Sequence, residues 1–113
     1  MPFINTKYSA EITQEQELKL KSALGEAISL VGKSEGWLML GFEQNCSMYF
    51  KGEKSEKIAF VEVSLFGGAG SASYNKLTGE ICRIYGEVLG IPADKIYVKY
   101  SATDDWGWNG RNF

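Results

Sequence analysis

The chain has 113 residues, 44% of them apolar and 23% charged, with a net charge of −2 and no histidine. That length gives a single domain (1–113) able to bury a core, and the balance is ordinary for a globular protein. The scattered lysines exclude a phosphate-backbone partner, and the lack of histidine removes the commonest acid–base side chain and the commonest metal ligand.

Cys46 and Cys82 form no C-x-x-C pair and lack the density of a disulfide scaffold. They read as small buried apolar residues. No apolar run approaches the ~20 residues of a membrane span. The N-terminus lacks a basic stretch followed by an apolar run. The expectation is a protein made in the cytosol with no membrane partner. Any export would follow a route the sequence does not show.

The chain opens Met1-Pro2-Phe3-Ile4-Asn5. A small residue behind the initiator methionine favours its removal. Pro2 would then carry a free secondary amine at the head of a short strand. An α-amino group has a reference pKa of about 7.7–8.0, and burial or a nearby cation lowers it towards the range of a general base. Many chains begin Met-Pro with no catalytic consequence, so the rest of the chain decides.

Thr13-Gln14-Glu15-Gln16 has the form of a capping box. Behind it Leu20, Ala23, Leu24, Ala27, Leu30 and Val31 recur at helical spacing, and Gly32 suits a left-handed stop. Trp37 to Phe42 is an apolar run of strand length. A short strand is expected around Met48-Tyr49-Phe50, then a charged turn from Gly52 to Lys57. Ile58 to Phe66 is the strongest strand signal. Gly67-Gly68-Ala69-Gly70 breaks it, and Ser71 or Ser73 can cap a second helix with Leu77, Ile81, Ile84, Tyr85 and Val88 on its apolar stripe. Gly90 closes that helix, Ile96 to Tyr100 is the next strand, and the tail from Trp106 to Phe113 is rich in glycine and aromatic residues.

The chain repeats itself. Gly32 to Gly36 stands before one strand as Gly90 to Asp94 stands before another, 58 residues on. Two βαβ units side by side predict an α+β, two-layer domain: a four-stranded sheet with both helices on one face, since each crossover is right-handed. In Ile58–Phe66 both alternations are largely apolar, and Trp37–Phe42 has no polar face either. Two helices cover one face, so the other predicts a homo-oligomer. The alternative is that the tail folds back over it.

Several residues offer chemistry. Lys33 follows the helix stop and falls near the end of the sheet where Pro2 begins; it could hold a carboxylate and depress the Pro2 amine, or simply satisfy helix carbonyls. Tyr97 and Lys99 are two apart on one strand and share a face. The Gly67–Gly70 loop could meet an anion, but matches neither G-x-x-x-x-G-K-[ST] nor G-x-G-x-x-G. Asp104 and Asp105 make a poor metal site and read as solvated. Nothing in the chain calls for a metal or a cofactor.

Taken in order, Pro2, Gly32-Lys33, Ser64-Leu65-Phe66-Gly67, Gly90-Ile91-Pro92-Ala93-Asp94-Lys95-Ile96-Tyr97 and Trp106-Gly107-Trp108-Asn109-Gly110 with Phe113 resemble the macrophage migration inhibitory factor family of the tautomerase superfamily. The resemblance runs the whole length. It implies a homotrimer whose three sheets form a central barrel, with a keto–enol tautomerase pocket between neighbours. It implies Pro2 as general base, Lys33 on the substrate carboxylate and Tyr97 supplied by the adjacent subunit. Phe66 stands where the family offers a backbone N–H beside the substrate. Trp106, Trp108 and Phe113 would line the pocket, with Phe3 beside the base. The substrates implied are aromatic α-keto acids such as phenylpyruvate, with dopachrome as a non-physiological one. The alternative is a cytokine-like protein that binds a cell-surface receptor.

Three departures stand out. Ser34 replaces the proline common after Gly-Lys, and Lys99 replaces the asparagine usual two residues after the tyrosine. Ile58–Val61 occupies the region where some members carry C-x-x-C, so no thiol–disulfide activity is expected.

Overall fold

A computed structural model describes residues 1–113. Strand β1 (Pro2–Tyr8) leads to helix α1 (Gln14–Ala27), strand β2 (Met39–Glu43) and a small hairpin of β3 (Tyr49–Phe50) and β4 (Glu53–Lys54). Strand β5 (Ala59–Phe66), helix α2 (Ser71–Leu89) and strand β6 (Ile96–Thr103) follow, and β7 (Gly107–Trp108) with β8 (Arg111–Asn112) closes the chain. The main sheet has the order β2-β1-β5-β6, with β1 parallel to β2, antiparallel to β5, and β5 parallel to β6. It is the α+β arrangement of two βαβ units that the internal repeat predicts.

The repeat extends to detail. Gly32 and Gly90 both end a helical segment in the left-handed conformation, at φ 74° and 71°. Each is followed by a 3₁₀ turn, Glu35–Trp37 and Ala93–Lys95, that delivers the chain to its second strand. Phe3 pairs with Met39 as Phe60 pairs with Tyr97.

The α1 capping box forms: the Thr13 hydroxyl accepts from the Gln16 N–H, and the Gln16 side chain accepts from the Thr13 N–H. Its last turn tightens into a 3₁₀ segment, Ile28–Val31, before Gly32. The core lies between sheet and helices, where Ile4, Val61, Val63 and Leu65 meet Leu20, Leu24, Leu77 and Ile81, all fully buried. One polar pair sits within it: the hydroxyls of Thr6 and Tyr85 hydrogen-bond, so neither is left unsatisfied.

Four sequence expectations need correction. The run from Trp37 does not begin a strand; Trp37 belongs to the 3₁₀ turn, held by the Trp37 and Leu38 N–H groups donating to the Ser34 and Glu35 carbonyls, and pairing starts at Met39. Neither Ser71 nor Ser73 caps α2; Gly70, at φ 87°, is the N-cap and makes no side-chain bond. Strand β6 runs three residues past Tyr100, to Thr103, because β5 offers partners up to Phe66. Both cysteines are free and half-buried rather than buried.

The sheet face away from the helices is also more polar than expected. Phe3, Met39 and Phe66 lie at one end and Phe60 and Tyr97 at the other, with Asn5, Glu62, Ser64, Lys99 and Ser101 between. The tail does not cover it. It forms the β7–β8 hairpin and meets the face at Phe66.

Candidate active site at the N-terminus

Three separate pieces of chain meet where β1 begins. Pro2 is buried and pairs with Leu65 of β5. The Phe66 N–H donates to the Met1 carbonyl at 3.1 Å. The Phe66 carbonyl in turn accepts from Lys33 Nζ at 2.8 Å. One residue, through its N–H on one side and its carbonyl on the other, thus ties the N-terminus to the only lysine of the loop after α1.

Local structure places Lys33 there. Left-handed Gly32 turns the chain off the helix axis, and the Lys33 N–H donates back to the Ile28 carbonyl at 3.4 Å. Ser34 does not leave the loop slack, because the Trp37 N–H donates to its carbonyl at 3.2 Å and closes the next 3₁₀ turn. The terminal amine, on Met1, is held below its ordinary pKa. Burial is the larger cause and the Lys33 ammonium the second.

Aromatic rings wall this corner. Phe66 meets Phe113 at 5.4 Å between centroids, Phe113 lies parallel to Trp108 at 6.2 Å, and Trp108 meets Trp37 edge-on at 4.9 Å. The tail earns its position by turn chemistry. Asn109 and Gly110 take φ 54° and 86°, the pair of positive values a two-residue hairpin turn requires. The Phe113 N–H then donates to the Trp106 carbonyl at 3.0 Å. The Trp106 carbonyl anchors the chain end, and its indole makes none of the ring contacts of the wall. Trp37 is a wall residue that the sequence reading put on a strand. The signal was available: it lies four residues past Lys33, on the same loop, behind a glycine.

Phe3 points to the open face of the sheet. Its ring lies against Gly41, where an added Cβ would come within 3.3 Å. It borders Pro2 along the strand and is not part of the aromatic wall.

Tyr97 and Lys99 are not brought to this corner. Tyr97 pairs with Phe60 while Pro2 pairs with Leu65, so the two are separated by five residues of β5, roughly 17 Å of strand. Tyr97 is exposed and packs edge-on against Phe50 of β3 at 5.2 Å. Lys99 is exposed on the same face, opposite Glu62 in the register. No group of three or more His, Cys, Asp or Glu side chains is gathered anywhere. No helix is long and apolar enough to cross a membrane.

A buried chain start, one cation, the main-chain N–H and carbonyl of Phe66 and a wall of rings thus meet at one end of an α+β sheet built from paired βαβ units. The family model for macrophage migration inhibitory factor matches residues 1–113, and the chain belongs to that family. Among solved structures, MIF2 of Leishmania major is 32% identical with a TM-score of 0.93, covering 100% of this chain and 97% of its own. The macrophage migration inhibitory factor homologue of Prochlorococcus marinus is 28% identical with a TM-score of 0.82, covering 98% of each chain. A fused 4-OT asymmetric trimer shares the fold at 13% identity and a TM-score of 0.85, over 97% of this chain and 94% of that one. No curated protein matches the sequence.

Proposed function

We propose that the protein is a keto–enol tautomerase of aromatic α-keto acids such as phenylpyruvate, with the Pro2 amine as general base. The observation that carries this reading is the meeting of the chain start, Lys33 and the Phe66 peptide beside an aromatic wall. Loss of Met1 does two things at once. It turns the Pro2 nitrogen from an amide into a secondary amine, and it frees the Phe66 N–H from the Met1 carbonyl. The Lys33 ammonium exchanges the Phe66 carbonyl for the substrate carboxylate, a stronger partner because it is charged. The Pro2 amine then takes a proton from the carbon next to the ketone, the electron pair moves to form the enolate, and the oxygen is protonated to give the enol. The reverse steps return the ketone.

The assembly proposed is a homotrimer. The open sheet face carries Met39 and Tyr97 exposed at its two ends. A neighbouring copy would bring its Tyr97, and Lys99 beside it, to the Pro2 end of the first. The trimer of the fold neighbour supports three as the number.

The test is an enol–keto absorbance assay on chains whose intact mass shows Met1 removed. Pro2→Gly should lower kcat/KM by ~10²–10⁴-fold, the range for a positioned general base. Equal rates would remove Pro2 from the mechanism. A mature mass retaining Met1 would end the proposal outright.

A further inference from the structure

Tyr97 stands at the start of β6 with 62% of its surface exposed. Its hydroxyl has no hydrogen-bond partner within the chain, whereas the hydroxyls of Tyr74, Tyr85 and Tyr100 are each engaged. Its ring makes a single ring contact, with Phe50, at 5.2 Å between centroids and 78° between planes. That edge-to-face geometry is one that aromatic pairs prefer.

A small element places Phe50 there. Lys51 and Gly52 take φ 53° and 81°, the positive pair of a two-residue hairpin turn, which sets Phe50 opposite Glu53 and Tyr49 opposite Lys54. Strand alternation sends the Phe50 ring to one side, half-buried, and the Tyr49 ring to the other, exposed. The base of the hairpin is tied to the end of β1. The Cys46 and Asn45 N–H groups donate to the Tyr8 and Ala10 carbonyls at 2.9 and 3.0 Å, and the Ile58 N–H donates to Ser9 Oγ at 2.9 Å. Two residues per strand make a hairpin marginal by itself. At its tip the Phe50 ring meets both the Tyr97 ring and the Lys51 ammonium, 5.6 Å from its centroid. An exposed phenol on a sheet face is free to change rotamer. A ring fixed beside it restrains that freedom and leaves the hydroxyl unengaged, the condition of a donor pre-set for a partner that arrives later.

We propose that Phe50 is a positioning residue for Tyr97, holding its ring so that the free hydroxyl meets the enolate oxygen formed in the corner of the neighbouring copy. The inference rests on the tautomerase reading and on the homotrimer proposed with it. It gives the β3–β4 hairpin a part in the reaction, although Tyr97 and Pro2 lie at opposite ends of their own sheet.

Steady-state kinetics on processed chains tests it with Phe50→Ala, Tyr97→Phe and the two combined. Phe50→Ala should lower kcat about tenfold with KM little changed, because the lost interaction forms only as charge develops on the oxygen. Phe50→Tyr keeps a ring and should retain most of the rate. In the Tyr97→Phe background, which lacks the hydroxyl, Phe50→Ala should cost less than about twofold. Loss of folding or of subunit assembly would instead lower the rate in both backgrounds. A Phe50→Ala chain as active as the wild type, or an equal loss with and without the Tyr97 hydroxyl, overturns the proposal. Nuclear Overhauser contacts between the two rings give a readout independent of turnover; their absence from the wild type overturns the positioning role whatever the kinetics. The Pro2→Gly assay separates the two ideas. If turnover does not depend on Pro2 but the Phe50 effect needs the Tyr97 hydroxyl, the tautomerase reading falls and this one stands. If turnover depends on Pro2 and the Phe50 effect ignores Tyr97, only this one falls. A wild type without turnover overturns both.

Discussion

Lys33 and Phe66, 33 residues apart in sequence, share a 2.8 Å hydrogen bond from the ammonium to the main-chain carbonyl. The bond fixes the cation beside the chain start while leaving it exchangeable, since a neutral carbonyl is a weaker partner than a carboxylate. Lys33→Ala should raise KM for phenylpyruvate by about tenfold, with a smaller effect on kcat. Steady-state kinetics checks this, and an unchanged KM would leave the carboxylate without its partner.

The same cation sets a pH dependence. Burial first, and Lys33 second, hold the Met1 amine below its ordinary value, and the Pro2 amine exposed by loss of Met1 should meet the same two influences. A base works in its neutral form, so activity should fall as pH drops through the amine pKa. Removing Lys33 takes away the repulsion, raises that pKa and moves the acid limb of kcat/KM to higher pH. An acid limb that does not move in Lys33→Ala would assign the depression to burial alone.

Tyr97 offers a test of the divided site. Chains carrying Lys33→Ala and chains carrying Tyr97→Ala should each be weak. Mixed and allowed to exchange subunits at equal amounts, they should recover roughly a quarter of wild-type activity, the fraction of neighbour pairs in which both residues are intact. Size-exclusion chromatography with light scattering should report three chains per particle in parallel. No recovery in a mixture shown to exchange would confine both residues to one chain.

In the core, Thr6→Val keeps the volume but strands the Tyr85 hydroxyl. Burial holds that hydroxyl well above the usual tyrosine range, so it stays protonated and needs its acceptor. The loss should be about 1–3 kcal/mol by denaturant unfolding. Tyr85→Phe alone strands Thr6 at a similar cost, whereas the double change should cost clearly less than the two added together.

Two glycines should respond in opposite directions. At Gly41 an added Cβ would stand 2.7 Å from Asn5 Oδ1 and 3.3 Å from the Phe3 ring, and Asn5 is itself held by Glu43 at 2.8 Å. Gly41→Ala should destabilise by about 1–3 kcal/mol. At Gly25, within α1, the atoms in the way belong to the carboxylate end of the Glu35 side chain, which can swing off at the cost of a long, exposed pair with Lys21. Gly25→Ala should gain up to ~1 kcal/mol from helix propensity. Thermal melts of the two variants, moving apart from the wild type, check both.

The elements that sequence made legible are those governed by local rules. The Thr13–Gln16 box, the left-handed stops at Gly32 and Gly90, and the alternation of Ala59 to Phe66 each depend on neighbours a few residues away, and each is found in the structure. The errors arise where distant contact decides. Trp37 looked like the head of a strand because its neighbours are apolar, yet its ring is claimed by Trp108, 71 residues on. Lys99 and Glu62 gave no sign of facing each other until the register of β5 and β6 was fixed. The nearness of Lys33 to the chain start was legible from the βαβ topology, but the part of Phe66 came only through family resemblance, since no spacing rule links a chain start to a main-chain N–H 65 positions along.

The internal repeat carries a consequence for stoichiometry. In register, Ala59 of the second unit stands where Pro2 stands in the first, one residue before the Phe60–Tyr97 pair as Pro2 is one before the Phe3–Met39 pair. Geometry alone would therefore allow two equivalent corners per chain. Covalent connectivity forbids it, because the nitrogen of Ala59 is an amide and no side-chain substitution can make it an amine. A base seated on a chain end is limited to one per polypeptide. The second corner was left free to diverge, and it holds an exposed tyrosine where the first holds an exposed methionine.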